Sequence, residues 1–343
     1  MATGYVYDPI FLEHDLRGHP ENRERLRRVI QFLREHRMTE LMTPLPAPAI
    51  PREYLELNHS PGYIDYVEET AARGGGYPDS DTYIGPRSFD AALMAAGGVH
   101  AATEAVLRGE VNNAICLVRP PGHHAVRNQG MGFCLFNNIA VATHAVRAQG
   151  LARRILIVDF DVHQGNGTQA SFYKDPNVLF CSTHQYPYYP GTGHWDEIGE
   201  GAGEGFTVNI PFSAGVGDAG FQAVYEEVIW PAAKRFGPEV ILVSAGYDAH
   251  WEDPLAGLAL SLKGYAWIAR KLVWMAKKLC GGRIVLTLEG GYHLDVLCHA
   301  VYNTCRALMG LPEDGDLDPL GPCKYPEPSV DALIRALRQV HGL

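Results

Sequence analysis

The 343-residue chain is poor in cysteine and in positive charge, and it lacks long apolar runs. Its seven cysteines form no Cys-x-x-Cys pair, and several lie within apolar stretches, which predicts reduced thiols inside a cell. No run of about 18 apolar residues is present, and no basic segment followed by an apolar one opens the chain. We therefore expect neither a membrane span nor a signal peptide, and predict a cytoplasmic protein.

Acidic residues outnumber basic ones, with 39 Asp and Glu against 29 Lys and Arg, for a net charge of −10. Because nucleic-acid backbones are bound through basic surfaces, this balance argues against direct nucleic-acid binding. It is compatible with a cationic substrate. Hydrophobic residues at 46% and charged residues at 20% are typical of a globular chain and exclude a disordered one.

Short apolar runs alternate with helix-length segments along the chain. We predict strands at 114–118, 154–160, 178–183, 240–245 and 283–288, and helices at 88–108, 137–149, 218–236, 263–279 and 293–309. Most of the strand runs are apolar throughout, which is typical of parallel strands covered on both faces. The alternation predicts an α/β fold of three α/β/α layers around a mostly parallel central sheet.

We expect one catalytic domain over residues 1–343. A stretch rich in proline, glycine and acidic residues at 311–329 is typical of a surface linker. Apolar residues at helical spacing then predict a final helix at 330–341. This helix would dock on the body or on another subunit, so a homo-oligomer stays open.

Polar side chains follow two of the predicted strands. Asp159, Asp161 and His163 alternate at the end of one strand, and Asp248 follows another. Active sites of parallel α/β folds lie at the carboxyl ends of the strands. Two carboxylates and one imidazole with one open position are the pattern of a catalytic zinc. Taken singly, each residue also fits a helix cap or a satisfied core histidine.

Two further strand ends carry groups suited to acid–base chemistry. A Pro-Pro-Gly turn presents His123 and His124, whose imidazoles titrate near neutrality. Asp159 and Asn166 are candidate acceptors for their second ring nitrogens, and a purely structural pair is the alternative. A double-glycine turn precedes Tyr292, whose hydroxyl would polarise a carbonyl at the same rim. A core tyrosine is an equally good interpretation.

Two other kinds of site match less well. Residues 165–170 fit a Gly-x-Gly-x-x-Gly/Ala dinucleotide motif, but the next strand lacks an acidic residue at its end to hold a ribose. A dimanganese hydrolase would need Asp-x-His-x-Asp and Asp-x-Asp motifs. Here Gln164-Gly165 follows His163, and His250 stands where the last aspartate of the second motif would be.

Six motifs, in order, resemble those of the zinc-dependent histone deacetylase superfamily. They are Arg-Pro-Pro-Gly-His-His (119–124), Gly-Phe-Cys-Leu-Phe-Asn-Asn (132–138), Asp-Phe-Asp-Val-His (159–163), Pro-Gly-Thr-Gly (190–193), Ser-Ala-Gly-Tyr-Asp-Ala (244–249) and Glu-Gly-Gly-Tyr (289–292). Asn166 and the Ser-Asp-Thr-Tyr stretch at 80–83 are similar to class II members. Bacterial histone deacetylase-like amidohydrolases and acetylpolyamine amidohydrolases belong to that group.

The resemblance implies an arginase/deacetylase-like fold and one catalytic zinc ion. The implied zinc ligands are Asp161, His163 and Asp248. A structural potassium ion would be held by backbone carbonyls around Asp159, Asp161 and His163. The implied reaction is amide hydrolysis by a water that the zinc activates.

The resemblance also assigns roles to the acid–base groups. His124 is implied as the main general base and acid, and His123, paired with Asp159, as its electrostatic partner. Tyr292 would donate to the acyl oxygen. All three are present, which disfavours a catalytically weak acyl-lysine-binding module. His250 and Trp251 receive no role.

Five residues are implied to contact the substrate. Phe133 and Tyr189 would wall an acyl-lysine channel, although phenylalanine is commoner at position 189. Asp81 would hold the substrate backbone, and the Gly132 carbonyl would accept the side-chain amide N–H. Leu255 stands where polyamine-directed members carry an acidic residue. This favours acetylated lysine in a peptide or protein over an acetylated polyamine.

Overall fold

The computed structural model describes residues 2–343 and contains one eight-stranded sheet. Its strands are β1 (Thr3–Val6), β2 (Thr43–Leu45), β3 (Asn113–Cys116), β4 (Ile155–Asp159), β5 (Val178–Gln185), β6 (Thr207–Phe212), β7 (Val240–Ala245) and β8 (Ile284–Leu288). Their order in the sheet is β2-β1-β3-β8-β7-β4-β5-β6. β1 pairs in parallel with β2 and β3, β4 with β5 and β7, and β5 with β6. The predicted α/β class with a mostly parallel central sheet is confirmed.

Twelve α-helices are present in the described residues. They are α1 (Arg23–Glu35), α2 (Met38–Leu41), α3 (Arg52–Asn58), α4 (Pro61–Ala72), α5 (Ser88–Leu107), α6 (Asn138–Ala148), α7 (Asn166–Phe172), α8 (Asp218–Val224), α9 (Trp230–Phe236), α10 (Leu262–Cys280), α11 (Leu294–Met309) and α12 (Asp331–His341). A π-helical turn at Tyr225–Ile229 joins α8 to α9, so the single helix predicted at 218–236 is continuous but irregular. None of these helices combines the length and apolarity that a bilayer crossing requires.

The central strands are apolar because both of their faces are covered. Every residue of β3, β4, β5, β7 and β8 is buried. Strands β1, β2 and β6 were not predicted from the sequence. β2 is three residues long and partly exposed, and β6 contains Asn209 and Pro211, so neither shows an uninterrupted apolar run.

The chain divides into two compact units. The first contains the residues up to Arg153 together with Gly165–Ser171 and Val285–Glu289. The second contains Arg154–Gln164, Phe172–Ile284 and Gly290–Leu343. The expectation of one catalytic domain over 1–343 stays a prediction.

In the first unit a buried carboxylate holds the start of the Pro-Pro-Gly turn. The Glu21 carboxylate accepts hydrogen bonds from Arg119 and from Arg25, whose Nη1 lies 3.0 Å from Oε1. All three side chains are at most 1% exposed. Burial opposes the negative charge, but Arg119 and Arg25 outweigh it and hold the pKa of Glu21 well below its usual range. This arrangement fixes the backbone just before the two histidines.

His59 is a buried histidine of the first unit whose protonation opposes folding. Its Nε2 accepts the Asn137 N–H (2.9 Å), while its Nδ1 lies 3.1 Å from the Val126 carbonyl oxygen and donates to it. Burial lowers the pKa of His59 to about 4. The unfolded chain, with a histidine pKa near 6.5, therefore binds the proton more readily than the folded chain does.

This contribution to stability is complete above about pH 6.5 and is lost as the pH falls towards 4, with a total of about 3 kcal/mol. We expect urea unfolding to show a steeper loss of stability between pH 6.5 and 4 for the native chain than for His59→Gln. Equal pH slopes for the two proteins would contradict this assignment.

In the second unit, the surface segment 311–329 is fastened to the body. The Glu327 carboxylate accepts the backbone N–H groups of Gly217, Ala219 and Gly220 at the start of α8. Asp316 accepts hydrogen bonds from Arg270 and Arg306. These hydrogen bonds fix the backbone path of segment 311–329 up to the start of α12.

The predicted final helix is present as α12. Its apolar face buries Ile334 and Leu337, and Arg235 Nη1 donates to the carbonyl oxygen of His341 at 2.8 Å. Of the two docking places predicted for this helix, the structure places it on the body of its own unit.

Candidate active site

The first candidate ligands belong to the loop that leaves β4. Asp159 Oδ1 accepts the Asp161 N–H (3.1 Å), and Asp161 Oδ1 accepts the His163 N–H (2.9 Å). Asp248 follows β7 by three residues, and its Oδ1 accepts the Val162 N–H (2.9 Å). These bonds join the ends of β4 and β7 and bring the three predicted ligands together.

Asp161, His163 and Asp248 form a compact group of ligand atoms. One ligand atom from each lies within 4.8 Å of the other two. His163 Nδ1 is 3.2 Å from Asp161 Oδ1 and 3.4 Å from Asp248 Oδ2. Asp248 Oδ2 is buried without a hydrogen bond. An acceptor left in this state, beside a second carboxylate and an imidazole, fits a divalent cation such as zinc.

The pKa shifts of His163 and Asp248 also indicate that this group needs a positive charge. Burial disfavours a charged His163, but the neighbouring carboxylates of Asp161 and Asp248 outweigh it and raise the pKa of His163 to about 10. Burial, and then the charge of Asp161, raise the pKa of Asp248. Two buried carboxylates therefore require a positive charge, which either a proton on His163 or a bound metal supplies.

Two glycines leave the space that these carboxylates occupy. A Cβ at Gly290 would overlap the Oδ2 atoms of both Asp248 and Asp161, and a Cβ at Gly246 would overlap Asp161. The Gly290 N–H donates to Asp161 Oδ2 at 2.8 Å. Because the carboxylates lie so close to the backbone, only glycine fits at positions 246 and 290.

We expect Gly290→Ala to lower zinc affinity at least about tenfold, because the methyl group displaces two ligand carboxylates. Competition with a chromophoric chelator measures this affinity. Gly62→Ala is the matched control, since a Cβ there meets nothing within 4 Å. Equal zinc affinity of Gly290→Ala and the native chain would contradict the ligand assignment.

The two candidate acid–base histidines lie in the first unit. The ring centroids of His123 and His124 are 3.9 Å apart, and both residues are 3% exposed. His124 Nδ1 lies 2.8 Å from Asn166 Oδ1. Because an amide oxygen only accepts, Nδ1 carries a proton, and in the neutral imidazole Nε2 then has the lone pair. Asn166 thus sets the tautomer that a general base requires.

Glu289 is a site residue that sequence reasoning missed. Its Oε2 accepts the N–H groups of Gly122 (2.7 Å) and His123 (3.3 Å), and its carbonyl oxygen accepts from Arg25 Nη2 (2.7 Å). Glu289 therefore fixes the backbone of the histidine turn. The available signal was an acidic residue placed directly after a buried strand.

Three of the predicted substrate-contacting residues also lie in the first unit. Phe133 has a φ of +69° and follows Gly132 with a φ of +55°, so this turn uses a left-handed backbone. The Phe133 N–H donates to Thr82 Oγ1 (2.9 Å). His19, which the sequence did not indicate, packs its ring edge on Phe133 and donates from Nε2 to the Asp81 carbonyl oxygen (2.8 Å). Asp81 itself is exposed.

The other two, Tyr189 and Leu255, lie in the second unit, which also contains the candidate metal ligands. The Tyr189 ring centroid is 6.0 Å from that of His163, in an edge-on arrangement. The neighbouring Tyr188, not predicted, stacks on His163 at 5.8 Å and donates its hydroxyl hydrogen to the Leu255 carbonyl oxygen at 3.0 Å. Tyr188 and Tyr189 thus place an aromatic wall against the His163 ring.

Tyr292 and the turn at residues 250–253 also lie in the second unit. Tyr292 is half-buried, and its N–H donates to Asp253 Oδ2 (2.7 Å). His250 Nδ1 accepts the Glu252 N–H (3.0 Å), and Trp251 Nε1 donates to the Gly321 carbonyl oxygen (3.1 Å). His250 and Trp251, which had no role in the sequence analysis, therefore build this turn.

The chain is similar to known deacetylases over most of its length. Residues 19–308 match the histone deacetylase domain. A probable deacetylase of Archaeoglobus fulgidus is 46% identical over 301 residues, covering 86% of this chain and 82% of that protein. Histone deacetylase 10, chloroplastic, of Oryza sativa subsp. japonica is 40% identical over 316 residues, covering 87% and 71%. The crystal structure of the HDA15 HD domain matches with a TM-score of 0.89 and 35% identity, covering 99% and 94%.

The match to the histone deacetylase domain, together with the similarity to named deacetylases, indicates a hydrolase that acts on amides. The chain belongs to the histone deacetylase family. The resemblance stated from the six sequence motifs is confirmed.

Proposed function

We propose that the chain is a zinc-dependent deacylase that removes acetyl groups from lysine side chains of peptides or proteins. The observation that carries this proposal is the group formed by the buried Asp161 and Asp248 and the largely buried His163, with one carboxylate oxygen lacking a hydrogen bond. These three residues would hold the zinc. When bound, zinc supplies Lewis-acid polarisation of the acyl carbonyl and lowers the pKa of the attacking water.

In the proposed reaction His124 moves the protons. Its Nε2 takes the proton of the attacking water and later delivers a proton to the leaving amine. Asn166 supports this role by holding the Nδ1–H tautomer. His123 adjusts the charge on its neighbour, and Asp159 is its proposed partner.

Tyr292 would donate its hydroxyl hydrogen to the developing oxyanion of the acyl group. Phe133, Tyr189 and the Gly132 carbonyl would line and orient the acyl-lysine side chain, and Asp81 would hold the substrate backbone. The apolar Leu255 offers no partner to the distal ammonium of a polyamine, which favours the lysine substrate.

The deciding experiment compares turnover of an acetyl-lysine peptide with that of acetylspermidine in one zinc-quantified preparation, before and after chelation. We expect faster peptide turnover, lost on chelation and restored by zinc. Equal or faster acetylspermidine turnover would instead assign a polyamine substrate. Binding of the peptide without turnover of either substrate would assign a recognition module.

Several expectations from the sequence stay predictions. They are the structural potassium ion near the β4 loop, a homo-oligomer, the cytoplasmic location and the lack of direct nucleic-acid binding. Potassium dependence of turnover and sedimentation velocity test the first two.

A further inference from the structure

We propose that Asp253 is a positioning residue that holds the Tyr292 loop in place for oxyanion binding. The role of Tyr292 rests on the proposed function, whereas the anchoring of its backbone by Asp253 does not. Asp253 was not among the candidate residues from the sequence, and the hydrogen bonds of its carboxylate go to backbone N–H groups.

The geometry gives one carboxylate three backbone donors. Asp253 Oδ2 accepts the N–H groups of Tyr292 (2.7 Å) and His293 (3.2 Å). Its other oxygen, Oδ1, accepts the Leu255 N–H (3.0 Å). The side chain thus ties the residue proposed to bind the oxyanion to a residue proposed to line the substrate channel.

The Tyr292 loop needs such an anchor because glycines precede it. No larger residue fits at position 290, because a Cβ there would overlap the Asp161 and Asp248 carboxylates. Gly291 has a φ of +118°, which also favours glycine. Neither glycine has a side chain that could restrain the loop. The two N–H groups bound by Asp253 lie directly after these glycines, at the point where the chain enters α11.

Asp253 is itself held in place. Its N–H donates to the His250 carbonyl oxygen (2.9 Å), and Trp251 of the same turn is bound to Gly321. Asp253 is 6% exposed. A rigid turn therefore presents the carboxylate to the Tyr292 loop.

A carboxylate at this position is costly for the fold. Burial, and then the charge of Asp248, raise the pKa of Asp253 to about 7. An uncharged side chain of the same size would avoid this cost, yet it could not accept three N–H groups through two oxygens.

Asp253→Asn tests the proposal. Asparagine keeps the shape but offers one acceptor oxygen, and its NH2 group would face an N–H donor. If Tyr292 contributes about 10²–10³ to kcat, a loosened loop should lose about tenfold or more of that factor, with little change in KM. Glu252→Gln, an exposed neighbour in the same turn, is the control and should retain native turnover.

A double-mutant cycle with Tyr292→Phe separates positioning from a general structural role. We expect Asp253→Asn to cost tenfold or more in the native background and less than about threefold in Tyr292→Phe, at unchanged zinc stoichiometry. An equal loss in both backgrounds, or a parallel loss of zinc, would overturn the proposal.

Amide hydrogen exchange gives a readout that does not depend on turnover. Peptides covering 288–296 should exchange faster in Asp253→Ala than in the native chain and in Glu252→Gln, because the amides of Tyr292 and His293 lose their acceptor. Unchanged exchange would overturn the anchoring role. If the native chain turns over neither substrate, the proposed function fails, and the exchange result still decides whether Asp253 holds the loop.

Discussion

Replacing Asp248 by asparagine is expected to remove zinc from the protein and to abolish deacetylation. Asparagine can still accept the Val162 N–H, so the loops after β4 and β7 keep their contact. It removes one of the two negative charges that the metal requires. Because loss of a group that only supports a ligand already costs about 10- to 100-fold in metal affinity, loss of a ligand charge should cost more.

Metal analysis after gel filtration and turnover of the acetyl-lysine peptide measure the two effects together. The zinc-free Asp248→Asn protein should be at least as stable as the zinc-free native chain, since the substitution removes repulsion between Asp248 and Asp161. The exposed Asp196→Asn serves as the control for removal of an aspartate charge. A full complement of zinc in Asp248→Asn would refute the proposed ligand set.

The second large effect is expected for His124→Ala, which should lower kcat by about 10²–10⁴ while zinc content stays native. The loss follows from removing the proposed proton acceptor for water and donor for the amine. Steady-state turnover with zinc-quantified protein measures it.

Asn166→Ala gives a graded comparison for this prediction. It keeps the imidazole of His124 but removes the acceptor at Nδ1, so we expect a smaller loss, about tenfold or more. A loss below tenfold for His124→Ala, or a larger loss for Asn166→Ala, would contradict the proposed role.

The candidate ligands could be predicted because each stands next to a strand end in the sequence. Parallel strands bring their carboxyl ends to one edge, so Asp161, His163 and Asp248 follow from the strand pattern alone. The central strands could be predicted equally well, because strands buried on both faces have uninterrupted apolar sequences. β2 and β6 were not, because exposure and polar or proline residues interrupt their apolar runs.

The supporting residues could not be predicted because they act on backbone groups far away in the chain. Glu289 holds the amides of Gly122 and His123, and Asp253 holds the amide of Tyr292. Almost every residue has a backbone N–H, so the sequence does not show which turn the carboxylate of a given acidic residue will bind. His19 and Tyr188 were missed for a related reason, since their partners are set by loop conformation.

The contacts of segment 311–329 with the rest of the second unit limit how far a catalytic fragment can be shortened at its C-terminal end. The similarity to the histone deacetylase domain stops at residue 308. A protein that ends there would lack Glu327, whose carboxylate accepts the backbone N–H groups at the start of α8. It would also lack Gly321, whose carbonyl oxygen accepts the indole N–H of Trp251. The boundary suggested by family similarity therefore leaves out residues that contact the rest of the second unit, among them Gly321, whose carbonyl oxygen holds the turn that carries Asp253.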